Sequence, residues 1–521
     1  MPTLDLNPEF QKALRLMEET DKNIFVTGKA GTGKSTLLRY FLDTTEKSVV
    51  VLAPTGVAAL NVNGQTIHSF FRFSTHVTPR EVKSKKFSGQ QKDLFKALKT
   101  IVIDEVSMVR ADLMDCVDLA LQKARGSRLP FGGIQMIFIG DLYQLPPVVS
   151  SPEEREMFRT VYPSPYFFDA NVLRELSFEM IELEKIYRQK DPDFIGLLNK
   201  IRNNSVQQED IEIINQRVGK ELGKTSKNGI SITLTTTNAA ADMINDERLS
   251  HMKARQMTYR ATITGDFEKS HFPTAQELHV KIGSQVMLLS NDATGQWVNG
   301  TMGMIVDILE SGYGDGSDAL IVQLSDGPAV RVGPHTWEVR QYVYHPGQSH
   351  LEQEQLGSFT QYPIRLAWAV TIHKSQGKTF DQVVIDLGKG SFAHGQTYVA
   401  LSRCTSFEGL SLMKPLQKRH VIMDWKVVKF LTRIQYEKAS ESLSLEDKCR
   451  LISDAIVRKK ELEITYLKAN DTKSKRSIVP QKMGEMEYAG VTFLGLEAFC
   501  LQRNDERVFR VDRILEIAAS H

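Results

Sequence analysis

Gly28, Gly31 and Gly33 stand with Lys34 and Ser35 in the run Gly28-Lys29-Ala30-Gly31-Thr32-Gly33-Lys34-Ser35, which fits G-x-x-x-x-G-K-[ST]. Those residue types suit one chemistry. Glycines let successive backbone N–H groups wrap phosphate oxygens, and a helix opening at the same place adds its positive end. The lysine supplies charge at the β- and γ-phosphates, and the serine hydroxyl ligates magnesium. The chemistry needs a strand before the loop and a helix after it; residues 24–27 read as that strand and 36–42 as that helix. Gly28, Gly31, Thr32, Gly33, Lys34, Ser35 and Thr36 are the candidate ligands of a nucleoside triphosphate. Asp104 and Glu105 close the apolar run 100–103. In phosphate-loop enzymes an acid here holds magnesium, so Asp104 joins Ser35 as a metal ligand. Glu105 is placed to polarise the attacking water as general base. A solvated turn is the competing reading of two acids at a strand end.

A parallel sheet would position such residues. Runs rich in β-branched residues at 24–27, 49–53, 101–104, 136–140, 232–236 and 383–387 alternate with helical patterns. That rhythm predicts an α/β fold with parallel sheets covered on both faces and ligands at the carboxyl ends of the strands. The candidate residues follow those runs. The rhythm changes after about residue 275, where 286–289, 303–308, 319–324, 329–332 and 338–344 read as short strands between Gly, Asp or Pro turns. This predicts an all-β module, 275–363, inserted into a second lobe made of 181–274 and 364–434, with the first lobe at 1–180. The Ser/Glu-rich stretch 435–445 reads as a linker, and 446–521 as a separate small domain.

Composition excludes several classes. The 521 residues are 41% hydrophobic and 25% charged, too many for a single core and typical of a globular chain. Apolar runs are strand-sized, so no membrane span is expected. Residues 1–10 hold no apolar signal core, so a cytoplasmic, nucleoid-associated location is expected. The four cysteines form no CxxC pair, which excludes a zinc ribbon. A net charge of +2 is far from that of a DNA-coating protein. It leaves room for a motor whose cations line one channel.

Further segments resemble a known family. Ala53-Pro54-Thr55-Gly56-Val57-Ala58-Ala59, Gln65-Thr66-Ile67-His68-Ser69-Phe70, Asp104-Glu105-Val106-Ser107-Met108-Val109 and Gly140-Asp141-Leu142-Tyr143-Gln144-Leu145-Pro146-Pro147-Val148 are similar to motifs Ia, Ic, II and III of superfamily 1 helicases. Ile186-Tyr187-Arg188-Gln189, Thr371-Ile372-His373-Lys374-Ser375-Gln376-Gly377-Lys378-Thr379 and Tyr398-Val399-Ala400-Leu401-Ser402-Arg403-Cys404 resemble motifs IV, V and VI. Over about 1–430 the set is closest to the RecD-like branch, and within it to the PIF (petite integration frequency) helicases. The resemblance implies two RecA-like lobes, an SH3-like insertion, ATP and Mg2+ as cofactors, and 5′ to 3′ movement on single-stranded DNA with duplex unwinding. It implies that Gln144 senses the γ-phosphate, that Arg188 and Arg403 are arginine fingers, and that Gln11 reads adenine; Gly377 joins the nucleotide site.

Single-strand binders combine a backbone-tracking groove with stacking platforms. Pro54, Thr55, His68, Phe70, Phe71 and Arg72 are the candidates in the first lobe, and Thr371, His373, Lys374 and Ser375 in the second. The resemblance also implies a strand-splitting wedge near 70–97, with Arg72, Phe73, His76 and Pro79 as supporting residues. Single-stranded DNA and single-strand/duplex junctions are the expected partners of a monomer.

The C-terminal residues resemble a WYL domain, an Sm-like β fold, through Ile464-Thr465-Tyr466, Arg476-Ser477-Ile478-Val479-Pro480 and Arg507-Val508-Phe509-Arg510-Val511-Asp512-Arg513-Ile514. The name-giving triplet departs, reading Thr492-Phe493-Leu494. Tyr466, Arg476, Arg507 and Arg510 are its candidate binding residues, for a regulatory or single-strand-binding tail. Two rival readings stay open: a translocase that does not unwind, and a ligand sensor that uses the motor as a switch.

Overall fold

Apolar side chains on both faces of a run bury it whole, and the first lobe is built that way. The computed structural model describes residues 7–519, apart from 75–76, 150–151, 223–229, 270–271, 293, 314–315, 326, 344–351, 389, 469–471 and 489. Strands Gln65–Thr66, Val49–Ala53, Thr100–Ile103, Gln135–Ile139, Asn23–Gly28 and Phe178–Leu183 lie side by side in that order, all parallel. Ile24 and Val26 share a core with Phe10 and Met17 of helix Pro8–Glu19 and with Leu37 and Phe41 of helix Lys34–Thr44. Phe25 points to the opposite face, as strand alternation requires, and meets Phe167 edge-on at 5.8 Å. Burying such side chains contributes about 1.5–3 kcal/mol each. The first lobe runs past the expected boundary at 180, because Phe178–Leu183 pairs along the whole of Asn23–Gly28.

The second lobe carries a parallel sheet ordered Ala369–Thr371, Ile232–Thr235, Val383–Asp386, Leu410–Leu412. Between its halves lies the β region. Ala329–Val332, Ala319–Leu324, Met302–Leu309, Gln285–Leu288 and Ile364–Leu366 form an antiparallel sheet, and His335–Val343, Glu352–Gln361 and Thr262–Gly265 form another. Gln256–Arg260 pairs with Glu277–Lys281. The β elements therefore begin at Gln256, not at 275. Gln256–Arg260 and Thr262–Gly265 are largely exposed, so they lack the apolar run that betrays a strand in sequence.

The chain divides into two compact units, residues 1–202 with 206–422, and 423–521 with 203–205. The expected linker 435–445 is instead helical through Ser442, within helix Trp425–Ser442. Its serines and glutamates are the wet face of an amphipathic helix whose Ile434, Gln435 and Ala439 are buried. Ser444 then caps helix Leu445–Arg458. An antiparallel sheet follows, ordered Asp505–Arg510, Val491–Cys500, Lys473–Tyr488, Leu462–Leu467, Ile514–Ala519. Ile452 and Ala455 of the helix close its core against Ile464, Ile478, Leu496 and Phe509.

Candidate active site

The phosphate loop leaves strand Asn23–Gly28 and turns into helix Lys34–Thr44 at Gly33, whose φ of 88° favours glycine. Gly31 is required for a second reason: a Cβ there would lie 2.5 Å from the Arg188 Cβ. The Tyr187 amide donates to Gly31 O at 2.9 Å, so the segment bearing Arg188 is laid directly on the loop. Lys34 Nζ donates to Gly28 O at 2.7 Å and Lys29 O at 3.0 Å, and burial lowers its pKa. Ser35 and Thr36 are exposed at the helix start, whereas the Thr32 hydroxyl is spent on Lys29 O at 2.9 Å. Gln11 is exposed on helix Pro8–Glu19, next to Phe10, whose ring approaches Gly33.

Asp104 and Glu105 emerge two strands away in the same sheet. The Asp104 amide prolongs the pairing by donating to Leu52 O at 2.9 Å. Glu105 then takes a left-handed φ of 49°, turning the chain sharply. Burial, then the neighbouring Glu105 charge, pushes Asp104 up to about 7. Burial also raises Glu105, against the pull of Lys34 and Arg403. Gln376 Nε2 of the second lobe donates to Glu105 Oε2 at 2.8 Å.

Two arginines reach the same place, Arg403 from the second lobe and Arg188 from the segment laid on the loop. Arg403 is 1% exposed. Its Nε donates to Val399 O at 2.9 Å and Nη1 to Ser375 O and Lys378 O at 3.4 and 3.3 Å. Burial, then Arg188, brings its pKa down to about 9. Arg188 donates to Ser402 O at 3.3 Å and Gly377 O at 3.5 Å. Gln144 is buried, with Nε2 3.4 Å from Asp141 Oδ2. The structure thus gathers Lys34, Glu105, Arg188 and Arg403 around one cleft.

Four other residues complete it. The Tyr398 hydroxyl accepts from the Ala30 amide at 3.0 Å, Gln376 holds Glu105, and Gln189 Nε2 donates to Ser402 O and Cys404 O at 3.1 and 2.9 Å. Arg202 pairs with Asp141 at 3.2 Å. The first three sit inside the motif segments, where their position was a usable signal. Arg202 ends an ordinary amphipathic helix and carried none.

The DNA candidates separate into two groups. Phe70 and Phe71, expected as stacking platforms, are 6% and 0% exposed. They join Phe73, Phe87 and Phe95 in an aromatic cluster, with Phe71 stacked on Phe73 at 5.2 Å. This corrects the expectation that these two rings are candidates for stacking on bases. Helices Pro79–Ser84 and Gly89–Ala97 are each opened by a capping box; they bury Val82 and Leu94, and the second supplies Phe95 to that cluster. Ser375 is fully buried and its hydroxyl donates to Ile372 O at 2.8 Å; buried Thr371 accepts from the Lys374 amide at 3.2 Å. Both are therefore scaffold for the turn. Thr55, Arg72 and Lys374 are exposed, and Pro54, His68 and His373 are half-buried. Burial lowers the His373 pKa. His76 lies outside the described residues. Between the lobes, Asn299 Nδ2 donates to Asn61 Oδ1 at 2.9 Å while Lys378 Nζ donates to Asn299 Oδ1 at 2.6 Å.

In the C-terminal unit, Tyr466 and Arg510 serve the fold. The Tyr466 hydroxyl accepts from the Arg510 amide at 3.4 Å. The Arg510 guanidinium pairs with Asp512 at 2.7 Å and lies over the Phe493 ring at 5.1 Å. Arg476 and Arg507 belong, with Lys468 and Arg503, to a group of neighbouring cations: burial and then these three arginines lower the Lys468 pKa. Sequence reasoning missed Lys468 and Arg503. Among the described residues, no three His, Cys, Asp or Glu gather in a metal-holding group, and no helix is long and apolar enough to cross a membrane.

Comparison with known proteins places these features. A PIF1-like helicase family model matches residues 6–212, and a WYL domain model matches residues 447–519. A Bdellovibrio bacteriovorus protein named ATP-dependent DNA helicase Pif1 is 31% identical over 441 residues, covering 83% of this chain and 93% of that one. The chain spans 64% of the length of the Xenopus laevis, Emericella nidulans and Danio rerio proteins named ATP-dependent DNA helicase PIF1. The unliganded Bacteroides sp Pif1 structure superposes with a TM-score of 0.73 at 35% identity, covering 84% of this chain and 98% of that one. Bacteroides Pif1 in complex with ADP-AlF3 and ssDNA gives 0.61 at 36% identity, with the same coverage.

Proposed function

The chain belongs to the PIF1-like helicase family and is an ATP-dependent DNA helicase; we propose that it moves 5′ to 3′ on single-stranded DNA and separates duplex ahead of it. One observation carries the mechanism. The phosphate loop, Glu105 and two arginines meet across a cleft whose two walls belong to different lobes. Lys34 sits at the β- and γ-phosphates. Glu105, held by Gln376, takes the proton of the attacking water, and its raised pKa suits a base. Arg188 and Arg403 neutralise charge growing on the transferred phosphoryl group, a contribution of about 10³–10⁵ in rate. The hydrogen bonds of Arg403 to second-lobe carbonyls make its contribution available only on closure. Closure and opening then change the spacing of Thr55, His68 and Arg72 relative to His373 and Lys374, which is stepping.

Magnesium fits the donor set. The Ser35 hydroxyl and Asp104 carboxylate are hard oxygen donors, and burial raises both acids of the Asp104–Glu105 pair. Held by Ser35 and Asp104, magnesium would supply positive charge to the phosphate oxygens. In the C-terminal domain, the group containing Lys468, Arg476, Arg503 and Arg507 supports a single-strand-binding or regulatory role. We place the enzyme on cytoplasmic, nucleoid DNA as a monomer.

Strand separation on 5′-tailed and 3′-tailed partial duplexes tests the reading, with Lys34→Ala as control. Unwinding of the 5′-tailed substrate alone is expected. Lys34→Ala should lose ATPase activity while still binding DNA. Unwinding only from a 3′ tail would reverse the polarity. ATPase activity that DNA stimulates, without unwinding of either substrate, would favour a translocase.

A further inference from the structure

Arg202 closes helix Pro192–Arg202, which is seated on the second lobe where Phe194 meets Phe407 at 5.9 Å. Its guanidinium crosses to the first lobe. There Nη2 donates to Asp141 Oδ1 at 3.2 Å, and the group lies over the Tyr143 ring, 4.0 Å from its centroid. The two charged side chains are 4% and 0% exposed. Asp141 is shared: its Oδ1 also accepts from the Tyr143 amide at 3.1 Å, and its Oδ2 accepts from Gln144 Nε2 at 3.4 Å. The second lobe grips the same segment twice more. His394 Nε2 donates to Leu142 O at 2.9 Å, and Gly395 packs so tightly that a Cβ would lie 2.3 Å from Tyr143 O.

We propose that Arg202 is a positioning residue of the hydrolysis cycle, acting through Asp141 to hold Gln144 in its working place only while the lobes are closed. This rests on the two-lobe hydrolysis reading above. A buried ion pair is tolerable only with its partner in place; either charge left alone and dry is strongly unfavourable. Opening the cleft separates Arg202 from Asp141 and returns both to water, and Gln144 then loses its charged anchor's second partner. Hydrolysis is thereby tied to closure at a second point besides the arginine fingers. The pair also lies within electrostatic reach of the loop, since both Lys29 and Lys34 feel Arg202 and Asp141. Losing one member changes the charge felt by Lys29 and Lys34 of the loop.

The test is steady-state ATPase of the full chain with and without single-stranded oligothymidylate, on Arg202→Met, Arg202→Lys, Asp141→Asn and the Arg202→Met/Asp141→Asn double variant. Melting curves fix a temperature at which each is folded. Arg202→Met should lower kcat by about tenfold or more while moving the ATP KM less than about threefold, the pattern of an interaction used beyond ground-state binding. Arg202→Lys, which keeps the charge, should recover part of the loss. The double variant should be no slower than the slower single, because the two residues act as one unit. Wild-type kcat in Arg202→Met, no recovery in Arg202→Lys, or multiplicative losses in the double variant would overturn the proposal. Should Arg202→Met fail to fold, Arg202→Lys carries the test alone: a wild-type kcat there, with oligothymidylate binding intact, overturns the geometric argument, and a reduced one supports it. If the wild-type chain itself shows no DNA-stimulated ATPase, the hydrolysis reading fails first. If the wild type is active and Arg202→Met equals it, only this inference fails.

Discussion

The nucleotide cleft and the C-terminal sheet each gather four basic side chains, and the two groups are opposite in kind. Lys34, Arg188, Arg202 and Arg403 are desolvated, and each is bonded to a named carbonyl or carboxylate. Lys468, Arg503 and Arg507 are exposed and Arg476 is half-buried; they stand near one another, and among the described residues Arg507 keeps loose company with Asp505 at 3.7 Å. The difference teaches what each group can do. Buried, pre-aimed cations cost no reorganisation when charge moves in a reaction, so position decides their effect. Exposed cations are screened and mobile, so number and salt decide theirs.

The sharpest way to break that contrast is Arg403→Ala. It should lower the ATPase kcat by about 10³-fold or more while ATP affinity stays within about tenfold, roughly 1.4 kcal/mol. Turnover and nucleotide binding are measured on the same preparation. Near-normal turnover would mean that the most buried guanidinium of the cleft serves packing, and the contrast would collapse.

How much of this was legible beforehand follows the same division. The cleft was readable because phosphate chemistry demands residue types at fixed spacing, as in Gly28 to Ser35 and in Asp104–Glu105. The parallel sheets were readable because Ile24–Val26 and similar runs are apolar on both faces. Gln256–Arg260 was not, since a polar, exposed strand has no periodic signature, and the 435–442 segment hid a helix behind its solvent face. Phe70 and Phe71 look like stacking platforms in sequence; both instead pack on Phe95, distant along the chain. Arg202 needed the fold altogether, because its partner Asp141 lies 61 residues away in the other lobe.

A pH titration sharpens the comparison from the acidic side. Asp104 is raised to about 7 in the folded chain, above its ordinary 3.8. The native state therefore binds this proton more readily than the unfolded one. The resulting stability is complete below the unfolded value and is lost as pH rises through about 7. With no nucleotide or magnesium added, melting temperature should fall from pH 6 to pH 8 by a degree or two, on the order expected for about 1 kcal/mol in a large chain. Asp104→Asn should flatten that part of the profile. An unchanged profile would mean that the two acids are already neutralised without a ligand.

The smallest effect is expected at the exposed cluster, and it should appear in salt rather than in turnover. Each phosphate contact to a single strand adds about −0.7 to the slope of log K against log salt. Arg476→Ala with Arg507→Ala should therefore make oligothymidylate binding less salt-dependent by about 1.4 units of slope, with kcat at saturating DNA unchanged. Arg510→Ala is the internal control, because its charge is already committed to Asp512 and the Phe493 ring. It should leave the slope alone even if it loosens the sheet. A slope that ignores Arg476 and Arg507 would remove DNA as the ligand of this domain. The buried group would then be the only one of the two whose role is electrostatic work on nucleotide or nucleic acid, and the tail would be better read as a sensor of some smaller anion.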